Sequence, residues 1–340
     1  MPSFVLRLNR RCWGYYKYKK VKVYKGFSNY SPVKNAVVTI GAYDGVHIGH
    51  QTIISRLIRI AKKHSGETVL VTFHPHPRLV LQKEANIKLL SSIDDRIELL
   101  EKSGIEHLII IPFDESFSKL SSQEFIRDVL VQKIGTKRLV IGYDHHFGKN
   151  REGSFEHLMK YGPVYGFEVE EIPAKEVNDI NVSSTKIRRA IQEGHIQKAN
   201  QFLGHNYTIA GTVIQGEQIG RSIGFPTANL KINDRSKLIP KEGVYAVHVN
   251  YSNKIYAGML NIGYRPTVGT GNKLSIEVNI FDFNENIYGE LIKLEIFEHV
   301  RNEIEFTSVN DLKLQLEQDL KDCKKILAHS WKKDFLFFLV

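Results

Sequence analysis

The chain has only two cysteines in 340 residues, Cys12 and Cys323, far apart and without C-x-x-C spacing. This argues against a disulfide framework or a structural zinc site, and a reducing cytoplasm is the expected setting. No apolar run approaches the ~18 residues a membrane-spanning helix needs, and the N-terminus lacks the continuous apolar segment of a signal peptide. A soluble protein without a membrane partner is expected. Acidic residues are missing from Met1 to Ala36, where Arg7, Arg10, Arg11, Lys17, Lys19, Lys20, Lys22, Lys25 and Lys34 supply nine of the formal +10 charges. The rest of the chain is therefore nearly neutral, which argues against a nucleic-acid binder, since that needs a basic surface on the folded module itself. The first 20 residues are poor in Ser and rich in Tyr and Lys, unlike an organelle transit peptide.

What is present is ordinary globular material: 42% hydrophobic and 25% charged residues, in a length that suits two domains. The first half alternates short apolar strands with amphipathic helices. Val37–Ile40 precedes a helix over 52–61, and Val69–Phe73 precedes one over 94–103. His107–Ile111 precedes a helix over 121–133, and Arg138–Ile141 follows. That order predicts an α/β, Rossmann-like, parallel doubly wound sheet. After about residue 205 the pattern becomes strands and glycine-rich turns (207–214, 243–249, 255–262, 275–281, 292–297), then a helix over 309–327. This predicts a small antiparallel β-barrel with a C-terminal helix packed outside.

Directly after the first of these strands stands Gly41-Ala42-Tyr43-Asp44-Gly45-Val46-His47-Ile48-Gly49-His50. A strand end feeding a helix N-terminus is an anion site, and Gly45 and Gly49 let backbone amides approach a phosphate. His47 and His50 can donate hydrogen bonds to an α-phosphate as charge builds; read alone they are equally a helix-start pair. Val182-Ser183-Ser184-Thr185-Lys186-Ile187-Arg188 caps a helix whose first turn is basic, a clamp for phosphates or an ordinary surface helix. His74 and His76 lie in Phe73-His74-Pro75-His76-Pro77, and Asp144, His145 and His146 follow the strand ending at Ile141. All these elements fall at strand carboxyl ends or just beyond, where open α/β sheets bind ligands.

In the second half, Gly216, Gly220 and Gly224 lead into Phe225-Pro226-Thr227-Ala228-Asn229, read as a turn. The segment lacks G-K-[ST] and is no Walker loop. Its glycines either wrap a nucleotide or bend a barrel corner, and Thr227 and Asn229 carry hard oxygens suited to Mg2+. Glu277, within Ser275–Ile280, is either an inward general base or a surface glutamate.

Together these motifs resemble the bacterial bifunctional riboflavin kinase/FAD synthetase family. The first set corresponds to T-I-G-x-F-D-G-V-H-x-G-H, F-x-P-x-P, G-x-D/N-F-x-F-G-x-x-x-x-G and S-S-T-x-I-R. The second corresponds to G-x-x-x-G-R-x-L-G-F-P-T-A-N, G-V-Y-A-V, N-I-G-x-R-P-T, E-V-x-x-x-D-F and Y-G. Order and spacing agree over about residues 21–325, with Tyr43 for Phe, His145 for Phe, Ile223 for Leu and Asn279 for a residue often His. The resemblance implies phosphorylation of riboflavin to FMN and adenylylation of FMN to FAD, with ATP as co-substrate and Mg2+ as cofactor. It implies His47, His50 and Glu277 as catalytic residues and Thr227 and Asn229 as metal ligands. ATP is expected on Gly41, Asp44, Gly45, Gly49, Ser183, Ser184, Thr185 and Arg188 in one module and on Gly216, Gly220 and Gly224 in the other. The flavin is expected near His74, His76, Asp144 and Arg265.

The modules are expected at 21–200 (FMN adenylyltransferase) and 201–330 (riboflavin kinase), with 1–20 a disordered or artefactual extension. A chain shortened to begin at Val21 loses six basic residues, its formal charge falling from +10 to +4. It is expected to keep both reactions in a product assay. A loss beyond about tenfold in either would show the extension to be docked on the enzyme.

Overall fold

The computed structural model describes residues 20–82, 86–142, 146–172, 182–216, 219–267 and 271–336, with backbone alone at 151, 219, 265–267, 271–273 and 329–336. Asp144 and His145 lie outside the described residues, as does the expected extension apart from Lys20. The described chain forms two compact units, one running through Ser184 and the other opening at Thr185.

In the first unit, β1 (Lys22–Lys25), β2 (Val37–Ile40), β3 (Thr68–His74), β4 (His107–Pro112), β5 (Arg138–Gly142) and β6 (Glu168–Ile172) form a parallel sheet in the order β1-β4-β3-β2-β5-β6. All four residues of β2 and the first five of β3 are buried, which is why they read as unbroken apolar runs rather than alternating ones. α1 (Ile48–Lys63) turns Ile54, Leu57, Ile60 and Ala61 inward at helical spacing. α2 (Pro77–Leu81) is short, and α3 (Ile93–Lys102) is opened by a Ser92/Asp95 capping box. α4 (Glu115–Ser118) follows β4. α5 (Ser122–Glu124) runs on as a π-helix, Phe125–Ile134, where an α-helix was expected; its buried Phe125, Val129 and Ile134 recur at four and five residues, the spacing of a wider turn.

The helix α6 (Phe155–Tyr165) and β6 complete the sheet unannounced by the sequence. α6 contains Pro163 and β6 carries three glutamates, so neither shows a clean apolar period. Strand order reverses beside β2: the chain steps outward through β3 and β4, then returns to place β5 on the other side of β2. The loops leaving β2 and β5 therefore flank the topological switch point, where such sheets bind ligands.

The second unit begins with α7 (Ser184–Gln192), which straddles the division, and α8 (Ile196–Leu203). Six antiparallel strands then close a barrel in the order β10-β11-β8-β7-β12-β9. They are β7 (Tyr207–Ile214), β8 (Ala228–Lys231), β9 (Gly243–Tyr251), β10 (Lys254–Thr267), β11 (Gly271–Ile280) and β12 (Leu291–Arg301). The inward–outward alternation of β7 is that of a wall with one buried face. β8 corrects the sequence reading, which took Pro226–Asn229 for a turn. A proline may head a strand but not continue one, and the chain here enters the barrel immediately after Pro226 and Thr227. After a short helix, α9 (Ile219–Ser222), placed before β8, the last element is α10 (Val309–Leu336). α10 lays Cys323 and Leu327 against Val244, Ala246 and Met259. Arg301 ties it to β12 with a forked ion pair to buried Asp319, Nε–Oδ1 2.9 Å and Nη2–Oδ2 2.7 Å. Cys323 is an unpaired thiol, and burial pushes its pKa up to about 12. Among the described residues no helix is long and apolar enough to cross a membrane.

His248 on β9 is buried with its ring edge-on to Phe297 at 4.4 Å, and burial lowers its pKa from 6.5 to about 4. A depressed histidine contributes stability that is complete above pH 6.5 and is lost as pH falls toward 4. The loss is on the order of 3 kcal/mol. His248→Leu should therefore flatten the acid limb of unfolding monitored by circular dichroism between those pH values; an unchanged limb would show His248 to be protonated or exposed.

Candidate active sites

The first site grows out of the carboxyl end of β2. Gly41 still bonds across to Val71 (N–O 3.0 Å), after which the loop turns through three residues of positive φ: Tyr43 (49°), Gly45 (79°) and Val46 (40°). Glycine takes that conformation freely, but a β-branched valine there is strained, a sign that the surroundings dictate the loop's shape. The Asp44 carboxylate is buried and accepts hydrogen bonds from the Leu90 and Ser91 N–H groups and from the Ser91 hydroxyl. Its part is thus to anchor the loop.

His47 is the N-cap of α1, its Nδ1 accepting from the His50 backbone N–H at 3.4 Å. With Nδ1 an acceptor, the His47 proton sits on Nε2, a donor. The two imidazoles stack with centroids 3.6 Å apart and planes 16° from parallel, and the Tyr43 ring lies 5.0 Å from His50. Burial first, then the neighbouring His47 and the Arg96 charge, hold the His50 pKa well below the ordinary histidine value. Its Nδ1 is shut off from water with no hydrogen-bond partner among the described residues. The Tyr43 phenol, pushed up by burial, shares a 2.8 Å hydrogen bond with Thr39, so tyrosine fits where phenylalanine is usual. Gly49 is buried in the first turn of α1, and a Cβ on Gly41 would meet the Tyr43 ring at 3.0 Å.

Ser184 reaches this loop from the start of α7, its hydroxyl donating to the Asp44 carbonyl at 3.4 Å. Ser183 precedes it, exposed, while Thr185 and Arg188 continue the same helix into the next unit. His74 ends β3 exposed, beside a cis His74–Pro75 peptide. His76 is buried and caps α2, its Nδ1 accepting from Arg78 N–H at 3.1 Å. Three half-buried rings carry no role in the sequence reading: Phe73 near the end of β3, Phe113 just after β4 and Phe117 in α4 lie 5.5–5.9 Å apart in edge and tilted contacts. Such a wall suits a planar aromatic ligand. Its only sequence signal is phenylalanine at two strand ends and in a short helix, indistinguishable there from core.

The second site is a cavity of about 510 Å³ in the barrel unit, whose walls include Phe225, Thr227, Asn261, Glu277, Arg301 and Glu303. Glu277 on β11 lies directly opposite Asn229 on β8 in register. Its Oε2 accepts from the Thr227 hydroxyl (3.1 Å) and its Oε1 from Ser275 (2.8 Å), which fixes the carboxylate plane. Gly216 packs so tightly on Asn229 that a Cβ there would lie 2.1 Å from its Nδ2. Gly220 sits in α9 and Gly224, at φ 87°, turns the chain back so that Phe225 N–H reaches the Gly220 carbonyl. Asn279 donates to the Pro226 carbonyl at 2.7 Å and holds the same segment. Burial raises the Glu303 carboxyl pKa, against a hydrogen bond from Asn261. Arg265 lies on β10 opposite Lys273, but its side chain is outside the described residues.

A histidine pair at a helix N-terminus on a parallel sheet, joined to a barrel with a braced carboxylate, defines the class as a two-module transferase with nucleotidyltransferase-type and kinase-type folds. The family model described as FAD synthetase matches residues 30–186 and that described as riboflavin kinase matches 203–327. A bifunctional riboflavin kinase/FMN adenylyltransferase of Listeria monocytogenes is 40% identical, covering 86% of this chain and 93% of its own length. One from Buchnera aphidicola is 38% identical, covering 90% and 98%. A crystal structure described as a macrolide-efflux protein from Streptococcus pneumoniae shares the fold at TM-score 0.79 and 31% identity, covering 90% of this chain and 99% of that one. The chain belongs to the bifunctional riboflavin kinase/FMN adenylyltransferase family.

Proposed function

We propose that the chain uses ATP twice, phosphorylating riboflavin to FMN in the barrel unit and adenylylating FMN to FAD at the loop after β2. The observation that supports it most is the pair of built sites: the stacked His47 and His50 at the switch point of one unit, and the braced Glu277 in the barrel cavity of the other.

In the kinase step Glu277 takes the proton of the riboflavin 5′-hydroxyl as that oxygen attacks the γ-phosphorus and ADP leaves. Thr227 spends its proton on Glu277, which leaves its oxygen lone pairs for a cation, and Asn229 stands opposite Glu277 in register. These hard donors fit Mg2+, which when bound neutralises phosphate charge. Gly216, Gly220 and Gly224 would pass the backbone close to ATP.

In the adenylyl step the FMN phosphate attacks the α-phosphorus and pyrophosphate leaves. The Nε2–H of His47 and the neutral ring of His50 donate to the phosphate oxygens, and the amides at the α1 N-terminus add their dipoles. Gly41, Gly45, Gly49, Ser183 and Ser184 line the approach. His74 and His76 are assigned to the flavin side, while Asp144 and Arg265 rest on the family resemblance. Both reactions are placed in the cytoplasm, the reducing setting that two widely separated cysteines suit.

Chromatography of products from riboflavin, ATP and Mg2+ tests the reading: FMN and FAD should both form, and FMN alone would leave a kinase only. His50→Ala should lower FAD formation from supplied FMN by about 10²–10³-fold and leave FMN formation nearly unchanged; equal loss of both would overturn the assignment to separate sites. Glu277→Gln should do the converse, lowering FMN formation by about 10²–10⁴-fold. A kinase running at wild-type rate after that change would remove Glu277 as the base.

A further inference from the structure

The strained loop after β2 is held from outside the recognised motifs, by the segment that opens α3. Asp44, 2% exposed, is held through both carboxylate oxygens: Oδ2 accepts from Leu90 N–H at 3.0 Å, and Oδ1 from Ser91 N–H at 2.9 Å and the Ser91 hydroxyl at 3.1 Å. That hydroxyl, on a residue 1% exposed, also accepts the Gly45 N–H at 2.9 Å. One buried oxygen thus ties both residues of the turn.

A second tie runs through a buried guanidinium. Arg96, 1% exposed, donates from Nη1 to the Thr72 hydroxyl at 3.2 Å and to the Phe73 carbonyl at 3.1 Å. Arginine has no acceptor, so the Thr72 proton is directed onward, to the Ala42 carbonyl at 3.1 Å. A buried cation is costly unless it is used, and this one orients a relay that ends in the loop. The Ser92/Asp95 capping box lies between Ser91 and Arg96 and fixes their spacing. Arg96 also contributes to keeping His50 uncharged.

We propose that Ser91 and Arg96 are positioning residues of adenylyl transfer: they hold the loop from Ala42 to Gly45 in its strained shape and so set His47 and His50 at the phosphates. The proposal rests on reading the first unit as the adenylyltransferase. Neither residue touches the reacting atoms. Their effect is on geometry, and displacement of about 1 Å at such a site can cost about 10²-fold in rate.

The test is steady-state FAD formation from FMN and ATP by the full-length chain, with thermal unfolding and the kinase reaction measured alongside. Ser91→Ala should lower kcat by about 10–100-fold, with KM for ATP and FMN changing by less than about threefold. Thr72→Val and Arg96→Met should each lower kcat by about tenfold. Acting through one relay, they should together cost little more than the worse of the two. Thr72→Ser, which keeps the hydroxyl, should restore kcat to within about threefold of wild type. FMN formation should be unaffected throughout. Wild-type kcat in both Ser91→Ala and Thr72→Val overturns the proposal, and so does a loss confined to KM. A loss explained wholly by a smaller folded fraction, with kcat per folded chain unchanged, overturns it too. If the unaltered chain makes no FAD from supplied FMN, the functional reading itself fails and this proposal falls with it.

Discussion

The first unit depends on the burial of β2 between β3 and β5. Four apolar or β-branched residues with no exposed face cannot turn within the sheet, so the chain leaves only at the carboxyl end. There the loop must cross to α1, and strand order reverses beside it. The positive-φ turn, the His47 cap and the stack of His50 on His47 all follow from this exit. A longer or half-exposed strand would move the helix N-terminus away from the switch point.

The barrel solves the same problem with register instead of crossover. Closing six strands places Asn229 opposite Glu277, and the residues just before β8 bring the Thr227 hydroxyl onto the carboxylate. Asn279, which departs from the usual family residue, is used to hold Pro226. The Arg301–Asp319 pair meanwhile fixes α10 against the cavity, which both residues line. The carboxylate is thus oriented by short-range contacts on strands, which are stiffer supports than loops.

Much of this was legible in the sequence because both architectures write their period into the chain. Strands buried on two faces appear as apolar runs, barrel strands alternate, and the helices carry their stripes; α1, α3 and the strands from β2 to β5 lie within a few residues of where the pattern places them. The misses have physical causes. α6 and β6 lack a clean apolar period, β8 hides behind Pro226, and the π-helix keeps a helical composition while widening its turn.

By itself the sequence determined the fold class of each unit, the order of the motifs and the residue types suited to phosphate, hard cation and base, because these depend on local spacing and composition. Only tertiary structure decided what each polar group does. Asp44, in the loop after β2, accepts from Ser91, 47 positions away, and His76 caps a helix through Nδ1. Glu277 meets Thr227 across 50 positions, and Arg96 acts through Thr72 on a carbonyl it never touches. A side chain's role is set by which buried donors and acceptors surround it. Those neighbours come from other strands and helices, so no window along the chain contains them.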